Sequence, residues 1–458
     1  MCIRVEMRTL IETVPDKLVS LVEKLRAQLC DAAFIERHRT RPEDFTRERQ
    51  LTFPVVMLFI LQKTAKSIQR HLNEFFDALG GERVCESVSS GAWTHARAKL
   101  KHTAFIELNT QSILPVVYGP EGNKTLQRWR GHRLLGLDSS VLRLPKHPEL
   151  FEQFTPVEVK CQFGSTGVSY PEARMSVFYD LLNRVGLDGR LKPSSVGEIS
   201  LAIEQLDQAC ADDVVITDRG FTGYRYLAEV VHRGLHFVSR CPTSSFAAAE
   251  ELFRKNKAGR SVVTKLMAPA AQKAELRRLG LPLELTVRFI SLRLNTGELE
   301  VLVTSLVDEQ KYPTEDFLQV YGWRWNHETF YYLMKSRLDL ENFSGQTAEA
   351  VRQDFHSTLL LCNLEIILTE PARTVLAEQS AEHQHPKGLN HAVAYHTIKH
   401  RLLELLYSDT PAVQIVTQLQ GLFQGAPVSR RKNRKVLRLK GSLHRSYYHQ
   451  KCVKKITF

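Results

Sequence analysis

The chain has 458 residues, 43% of them hydrophobic, and carries a net charge of +12 at pH 7. This length and composition suffice for two to four domains with ordinary hydrophobic cores. No run of about 18 apolar residues is present, and the N-terminus lacks the apolar block of a secretory signal, so we expect no membrane segment and a cytoplasmic location. The eight cysteines are scattered without metal-ligand spacing, which predicts reduced thiols and excludes a zinc-finger pattern.

The positive charge is concentrated at the C-terminus. Residues 430–458 contain eleven lysines or arginines and no acidic residue, beginning with Arg430, Arg431 and Lys432. The preceding residues hold 51 basic and 50 acidic side chains, whose charges nearly cancel. Such a basic tail is typical of a contact with a polyanion, and nucleic acid is the commonest one. The alternatives are a solvated terminus and a segment packed at a dimer interface.

The N-terminal region is predicted to be helical, with basic residues on its turns. Helices are expected from Phe53, from about Thr64 and from Ser90, and Arg70 and Arg97 fall on the second and third of them. Short helices with exposed basic residues are typical of a helix-turn-helix DNA reader, so both arginines are candidate DNA contacts. A helical bundle that does not contact DNA is the alternative.

The middle of the chain alternates between apolar strands and helices, and two of the strands carry an acidic residue. Asp138 lies in an apolar strand from Arg133 to Leu144, and Asp218 ends the strand that starts at Asp213. This alternation predicts an α/β core with a mixed sheet. A carboxylate on a buried strand is costly unless it is paired or bound to a metal ion, so both aspartates are candidate site residues. A turn or edge aspartate is the alternative for Asp138.

Residues 242–312 change in character after this core. Three stretches of this segment alternate apolar and polar residues with period two, which predicts β-strands. Two of them flank Asn295-Thr296-Gly297, a sequence suited to a hairpin turn. We therefore expect an all-β insertion, which separates Asp218 from the candidate residues that follow.

A helix is predicted from Thr314 to Leu340. At about 100° per residue, a tyrosine, two cations and a carboxylate share one face of this helix, and large apolar residues occupy the other. The polar-face residues are Tyr321, Arg324, Glu328 and Lys335. One interpretation is a surface helix whose Arg324–Glu328 pair, at i,i+4 spacing, contributes a few tenths of a kcal/mol.

The other interpretation comes from a resemblance. The spacing Tyr-x2-Arg-x3-Glu-x6-Lys of these four residues matches the signature of the IS-four family of insertion-sequence transposases, which are DDE enzymes. The segment from Ser87 to Leu100 also resembles the end-binding region of these transposases. The likeness covers roughly residues 50–370. It implies a ribonuclease-H-like α/β core with a mixed sheet and an all-β insertion, flanked by all-α N- and C-terminal regions.

The resemblance implies that Asp138, Asp218 and Glu328 are the catalytic residues and the metal ligands. Three carboxylates and water can hold two Mg²⁺ ions about 3.5–4 Å apart, and Mn²⁺ is expected to substitute for them. Tyr321, Arg324 and Lys335 would contact phosphates beside the cut. The further candidate DNA contacts come from the basic segments and are Arg70, Arg97, Arg128, Arg130, Arg430, Arg431 and Lys432.

The implied function is that of a transposase that binds the inverted-repeat ends of its own insertion sequence and carries out metal-dependent strand cleavage and strand transfer. Its partners would be double-stranded DNA, both transposon ends and target, and a second copy of the chain when paired ends are bound. A catalytically inactive DNA-binding regulator or relic and a stand-alone nuclease of the same fold are the alternatives. The implied domains are a helical end-binding domain (1–125), the catalytic core (126–241 and 313–370), the insertion (242–312) and a helical C-terminal region with the basic tail (371–458).

The sequence departs from the family pattern at two places. Asp138 is followed by Ser139 and Ser140, where the family usually has Gly-Thr. The better-known relatives also use a tryptophan in the insertion to stack a flipped base, whereas all four tryptophans of this chain lie outside residues 242–312. Phe289 is the aromatic candidate for that role, because any aromatic face can hold an unstacked base. Cleavage through a hairpin end is therefore left open.

Overall fold

The computed structural model falls into two compact units, which are described separately. The helical unit comprises residues 1–125 and 334–458, and the sheet unit comprises residues 126–333. Within the described part of the chain, no helix is both long and apolar enough to cross a lipid bilayer. The described residues are 15–47, 49–63, 67–80, 88–159, 168–244, 246–294 and 296–429.

The first part of the helical unit consists of short helices, as predicted. Pro54 lies in the first turn of the helix that begins at Phe53, where its missing N–H has no intrahelical partner to lose. Ser89 caps the helix that begins at Ser90, because its Oγ accepts a hydrogen bond from the Ala92 N–H at 3.1 Å. The helices are α1 (Asp16–Leu29), α2 (Ala32–His38), α3 (Phe53–Gln62), α4 (Ile68–Gly80), α5 (Ser90–Arg97), α6 (Thr103–Leu108), α7 (Leu114–Tyr118) and α8 (Pro120–Thr125), with a π-helical turn, Asn109–Ile113, before α7.

The sheet unit alternates strands and helices. Its strands are β1 (Leu134–Gly136), β2 (Ser139–Arg143), β3 (Thr155–Val159), β4 (Val168–Asp180), β5 (Val185–Pro193), β6 (Val214–Thr217), β7 (His236–Arg240), β8 (Arg260–Met267), β9 (Glu284–Arg293) and β10 (Leu299–Thr304). Its helices are α9 (Pro148–Gln153), α10 (Glu198–Gln205), α11 (Tyr224–His232), α12 (Ala247–Lys255), α13 (Lys273–Arg278), α14 (Asp316–Gly322) and α15 (Trp325–Tyr332).

The order of the core strands confirms the predicted mixed α/β sheet. The core reads β5-β4-β1-β6-β7, in which β4 runs antiparallel to β5 and β1, while β6 and β7 run parallel to β1. An antiparallel meander that leads into parallel strands joined by helices is the arrangement expected of a ribonuclease-H-like core. Strands β1 and β6 are buried along their whole length, because both of their faces are covered.

The insertion extends this sheet, but it is not purely β as expected. Strands β10, β9 and β8 follow β7 in order and pair antiparallel, with the predicted hairpin between β9 and β10. Helices α12 and α13 also lie in the segment. The sequence of α12 is rich in Ala, Glu, Leu and Lys, which favour helix, and Asn256 ends it in a left-handed conformation at φ 49°. Only the strands carried the period-two pattern, so the prediction overlooked the helices.

The single helix predicted from Thr314 to Leu340 is divided into shorter segments. Helix α14 ends at Gly322, and in the following turn the Arg324 N–H donates to the Tyr321 carbonyl, three residues back, at 3.1 Å. Gly322 lowers the helical propensity at this place. After α15 the chain forms a π-helical turn, Leu333–Arg337, which contains Lys335. Because the turn spacing changes twice, uniform steps of 100° do not give the true direction of Lys335.

The C-terminal part of the helical unit is built on one long helix, α16 (Ala348–Leu368), most of whose side chains are buried. It packs against α3 and α6 of the same unit. The remaining elements are α17 (Glu370–Gln379), β11 (Lys387–Gly388), α18 (His391–His400), α19 (Leu402–Leu406), α20 (Ala412–Gly425) and β12 (Val428–Ser429), which pairs with β11.

Candidate active site

The sequence predicts one continuous strand around Asp138, but the structure places Asp138 between β1 and β2. Its Oδ1 accepts a hydrogen bond from the Ser139 N–H at 2.8 Å. Burial raises the pKa of Asp138 to about 6, although the positive charge of Arg324 opposes this rise. The positive charge near Asp138 is therefore too small to offset the effect of burial on its carboxylate.

Asp218 directly follows β6, which lies beside β1. Gly136 pairs with Ile216 in these parallel strands, so Asp138 and Asp218 each follow two residues after the same rung. Asp218 caps a 3₁₀ turn, because its Oδ1 accepts a hydrogen bond from the backbone N–H of Arg219 at 2.7 Å. The two aspartates are thus placed at the same end of adjacent central strands, where α/β sheets commonly carry their sites.

Glu328 lies in the first turn of α15 and pairs with Arg324. Arg324 Nη2 is 2.7 Å from Glu328 Oε1, and the Arg324 side chain is buried, with 7% of the residue exposed. Burial lowers the pKa of Arg324, but the interaction with Tyr321 and the charges of Glu328 and Asp218 outweigh burial and raise the pKa above its ordinary value. The guanidinium therefore remains charged inside the protein.

Tyr321 connects Arg324 to the second aspartate. The Tyr321 hydroxyl donates to Asp218 Oδ1 at 3.4 Å, and the Arg324 guanidinium lies 5.5 Å from the Tyr321 ring centroid. Burial raises the pKa of Tyr321 to about 12. The structure thus brings Asp138, Asp218 and Glu328 into electrostatic range of one arginine.

The donor chemistry of the three acids suits a hard divalent cation, since carboxylate oxygens are the ligands that such ions prefer. In Asp138 and Asp218 the hydrogen bonds with described residues engage only Oδ1, which leaves Oδ2 for another ligand. A bound cation would also lower the raised pKa of Asp138, because a nearby positive charge favours the ionised carboxylate. In the present conformation, however, no three His, Cys, Asp or Glu residues of the described chain are spaced to hold a metal ion. Glu328 is engaged by Arg324 instead.

Three further ion pairs support the site and were not predicted from the sequence. Arg240, the last residue of β7, lies 4.0 Å from Asp218 Oδ1 and 2.5 Å from Glu300. Arg174 of β4 donates to Glu198 at 2.6 Å, and Glu198 acts electrostatically on Asp138. Arg240 could have been identified from the sequence, because it ends the strand that follows the strand of Asp218. The positions of Arg174 and Glu198 depend on strand pairing, which the sequence does not display.

Arg97 was predicted to be an exposed DNA contact, and this prediction is wrong. Only 4% of Arg97 is exposed, and its guanidinium donates to Gln353 at 2.7 Å, to Ser344 at 2.7 Å and to Asp354 at 2.7 Å. These acceptors follow it by about 250 residues, on α16 and the segment before it. Arg97 ties the N- and C-terminal parts of the helical unit together.

The other candidate DNA contacts occupy different surroundings. Arg70 is exposed and pairs with Glu74 at 3.2 Å, while Arg130 pairs with Asp316 at 2.6 Å. Arg128 is exposed, and Lys335 is half-buried. The candidates of the basic tail, Arg430, Arg431 and Lys432, lie outside the described residues.

Phe289 does not offer a stacking surface. It is fully buried in β9, where its ring centroid lies 5.3 Å from that of Phe246. Its place in β9 explains the error, since alternation alone did not reveal that both faces of this strand are covered.

Comparison with known proteins places this site in a family. The sequence profile described as "Transposase DDE domain" matches residues 129–364, just over half of the chain. The chain is 25% identical over 241 residues to the transposase InsG for insertion sequence element IS4 of Escherichia coli strain K12. That match spans about half of this chain and about half of the curated relative, 52% of each.

A solved structure, described as a piggyBac transposase synaptic complex with hairpin DNA, is 10% identical, with a TM-score of 0.41 over 95% of this chain and 87% of that chain. The profile match contains Asp138, Asp218 and Glu328. The chain therefore belongs to the family of proteins with a transposase DDE domain.

Proposed function

We propose that the protein is a transposase that binds the inverted-repeat ends of its own insertion sequence and uses Asp138, Asp218 and Glu328 to cleave DNA and transfer the cut strand. The observation that carries this proposal is the convergence of the three carboxylates on Arg324, in a chain of the DDE family. Three acids around one buried cation exceed what a structural ion pair needs. A site that is to bind cations requires such an excess of carboxylates.

Transposases of the DDE type use divalent metal ions. Two Mg²⁺ ions, or Mn²⁺ in their place, would activate the attacking oxygen and stabilise the leaving oxygen of a phosphodiester. Asp138 and Asp218 would bind them through the oxygens that the backbone amides leave free. Glu328 would first have to exchange its pair with Arg324 for the ions.

Arg324 and Tyr321 would then act on the DNA. Once Glu328 is engaged elsewhere, the Arg324 guanidinium can donate to a phosphate oxygen in a bidentate manner. The Tyr321 hydroxyl stays protonated at neutral pH, since its pKa is raised to about 12, so it too can donate to a phosphate. Tyr321 and Arg324 would therefore both supply hydrogen-bond donors for a phosphate beside the three carboxylates.

Binding to DNA is proposed to involve basic residues in addition to Arg324. Arg128, Lys335, Arg70 and the basic tail supply positive charge for the backbone of transposon ends and target, and such contacts position DNA without reading its sequence. Two copies of the chain would pair two ends in a homodimer. This part of the proposal rests on charge and family membership.

The test is metal-dependent nicking of an inverted-repeat end taken from the DNA that flanks the gene. Asp218→Asn and Glu328→Gln should each lower the cleavage rate by at least about 100-fold while DNA binding survives, because removing one ligand charge disables a two-ion site. Asp212→Asn is the matched control, since the Asp212 side chain is 82% exposed and lies in the turn before β6. Its cleavage rate should equal that of the wild type.

Each alternative function gives a different result in the same assay. A regulator or relic would bind the end but leave it uncut at every metal concentration. A stand-alone nuclease would cut unrelated duplexes as fast as the inverted repeat. Wild-type cleavage rates for Asp218→Asn or Glu328→Gln would show that the catalytic assignment is wrong.

A further inference from the structure

The pairing between β4 and the two strands on either side of Asp138 is interrupted at one place. Leu135 pairs with Asp180 and Ser139 pairs with Ser176, so β1 and β2 follow β4 in a single register. The same register would set Asp138 opposite Val177. In the described strands, no pairing is made there, and β1 and β2 are separated by this gap.

The hydroxyl of Tyr331 occupies the gap. It accepts a hydrogen bond from the Val177 N–H at 2.9 Å and donates one to the Asp138 carbonyl at 2.7 Å. Two hydrogen bonds in series thus replace the one bond of about 2.9 Å that a regular ladder would make. The chain at Asp138 is therefore held farther from β4 than direct pairing would allow.

Tyr331 also lies on the element that carries the third acid. It follows Glu328 by three residues on α15, so the two side chains are neighbours on that helix. Tyr331 is buried, with 7% of the residue exposed, so water competes little for the two hydrogen bonds of its hydroxyl.

We propose that Tyr331 is a positioning residue for the metal-binding carboxylate of Asp138. By bridging Val177 and Asp138, its hydroxyl sets the backbone from which the Asp138 side chain departs and ties it to the helix of Glu328. Ser176 assists, since its Oγ lies 3.1 Å from the same carbonyl and shares its one proton between that oxygen and Gln205 Oε1 at 2.5 Å. The inference rests on the proposed function, because it assigns Tyr331 a role at the ion site formed by these acids.

The test is a titration of the full-length protein with Mn²⁺ alone, followed by electron paramagnetic resonance of the free ion. Tyr331→Phe removes only the hydroxyl and should weaken Mn²⁺ binding by about tenfold, the usual cost of losing a group that orients a ligand. At saturating metal its cleavage rate should approach that of the wild type. Tyr332→Phe is the matched control, because Tyr332 is the next residue of α15 and is 59% exposed. It should bind Mn²⁺ like the wild type.

The outcomes separate this inference from the proposed function. Wild-type protein that binds no Mn²⁺ would overturn the proposed function itself. Wild-type protein that binds Mn²⁺, with equal affinity in Tyr331→Phe, would overturn only the positioning role, even if that variant melted at a lower temperature. If Tyr331→Phe folds too poorly to titrate, Ser176→Ala decides the matter: about a twofold to threefold weaker affinity supports the inference, and unchanged affinity rejects it.

Discussion

Two buried arginines of this chain, Arg97 and Arg324, differ in how many of their hydrogen-bond donors have a partner. Arg97 in the helical unit donates to four acceptors, which include the carboxylate of Asp354 and the carbonyl of Ala350. Arg324 in the sheet unit makes one pair, with Glu328, and its Nε has no hydrogen-bond partner among the described residues. Both lie less than a tenth exposed.

The difference concerns which hydrogen bonds are complete. Burial raises the pKa of Asp354, but the charges of Arg97 and Lys63 outweigh burial, so the carboxylate is held ionised. Around Arg324 the balance is reversed, because burial keeps the pKa of Asp138 raised in spite of the arginine. A saturated cluster serves stability, whereas an unsaturated one retains capacity for a ligand.

The largest effect that follows from this comparison is on the stability of the helical unit. Arg97→Ala should lower its free energy of unfolding by about 3–5 kcal/mol, since it leaves Asp354 buried without its main partner. Urea denaturation followed by circular dichroism measures the change. Arg70→Ala is the control, because Arg70 is exposed and its pair with Glu74 should contribute less than about 0.5 kcal/mol. Equal losses in the two variants would contradict the structural role of Arg97.

The next effect comes from His327, a fully buried residue beside the site. Burial and the charge of Arg324 lower its pKa from 6.5 to about 3, so the folded protein keeps the ring neutral. Between these two values the unfolded chain binds a proton that the folded chain does not. The free energy of unfolding therefore contains the full contribution of neutral His327 above pH 6.5. Below pH 6.5 this contribution falls by about 1.4 kcal/mol per pH unit.

A variant isolates this contribution. Asp138 works in the opposite direction between pH 3.8 and about 6, because its folded pKa is raised. Comparison with His327→Leu cancels that term, so the wild type should lose about 2 kcal/mol more than the variant between pH 6.5 and 5. Denaturant titrations at both pH values provide the measurement. Parallel losses in the two proteins would mean that His327 is not held neutral by burial.

The smallest effect on stability is expected at Arg324 itself. Arg324→Ala should change the free energy of unfolding by only about 1 kcal/mol, because its partner Glu328 keeps 30% of its side chain in solvent. The pKa of Asp138 should rise further, since Arg324 is the charge that lowers it. Carboxyl ¹³C chemical shifts of labelled aspartate, followed against pH, report that change. A loss of stability as large as that of Arg97→Ala would remove the distinction between the two clusters.

Local sequence patterns predicted several structural features of the candidate site. The Arg324–Glu328 pair follows from i,i+4 spacing on a helix, and Asp218 follows from an apolar strand with an acid at its end. The mixed sheet was likewise predictable, because the alternation of strands and helices is written in local patterns. These features depend on short segments whose secondary structure follows the same local patterns in many folds.

Features that depend on distant partners were not predictable. Arg97 looked exposed because its acceptors lie on α16, about 250 residues later in the chain. The role of Tyr331 depends on the register between β4 and the strands on either side of Asp138, which no local pattern specifies. Lys335 was placed by uniform helical steps that the 3₁₀ and π turns interrupt.

Asp138, Asp218 and Glu328 are proposed to form one metal site, and iron-mediated protein cleavage can show whether they share a bound ion. With hydrogen peroxide and ascorbate added, Fe²⁺ bound in place of Mg²⁺ reduces the peroxide to hydroxyl radicals that cut the polypeptide near the ion, and ascorbate regenerates Fe²⁺. Mass spectrometry maps the cuts. We predict cuts clustered near residues 138, 218 and 328 together, suppressed by excess Mg²⁺ and absent in Asp218→Asn. Cuts confined to one of these segments, or unaffected by Mg²⁺, would show that the three carboxylates do not share a metal site.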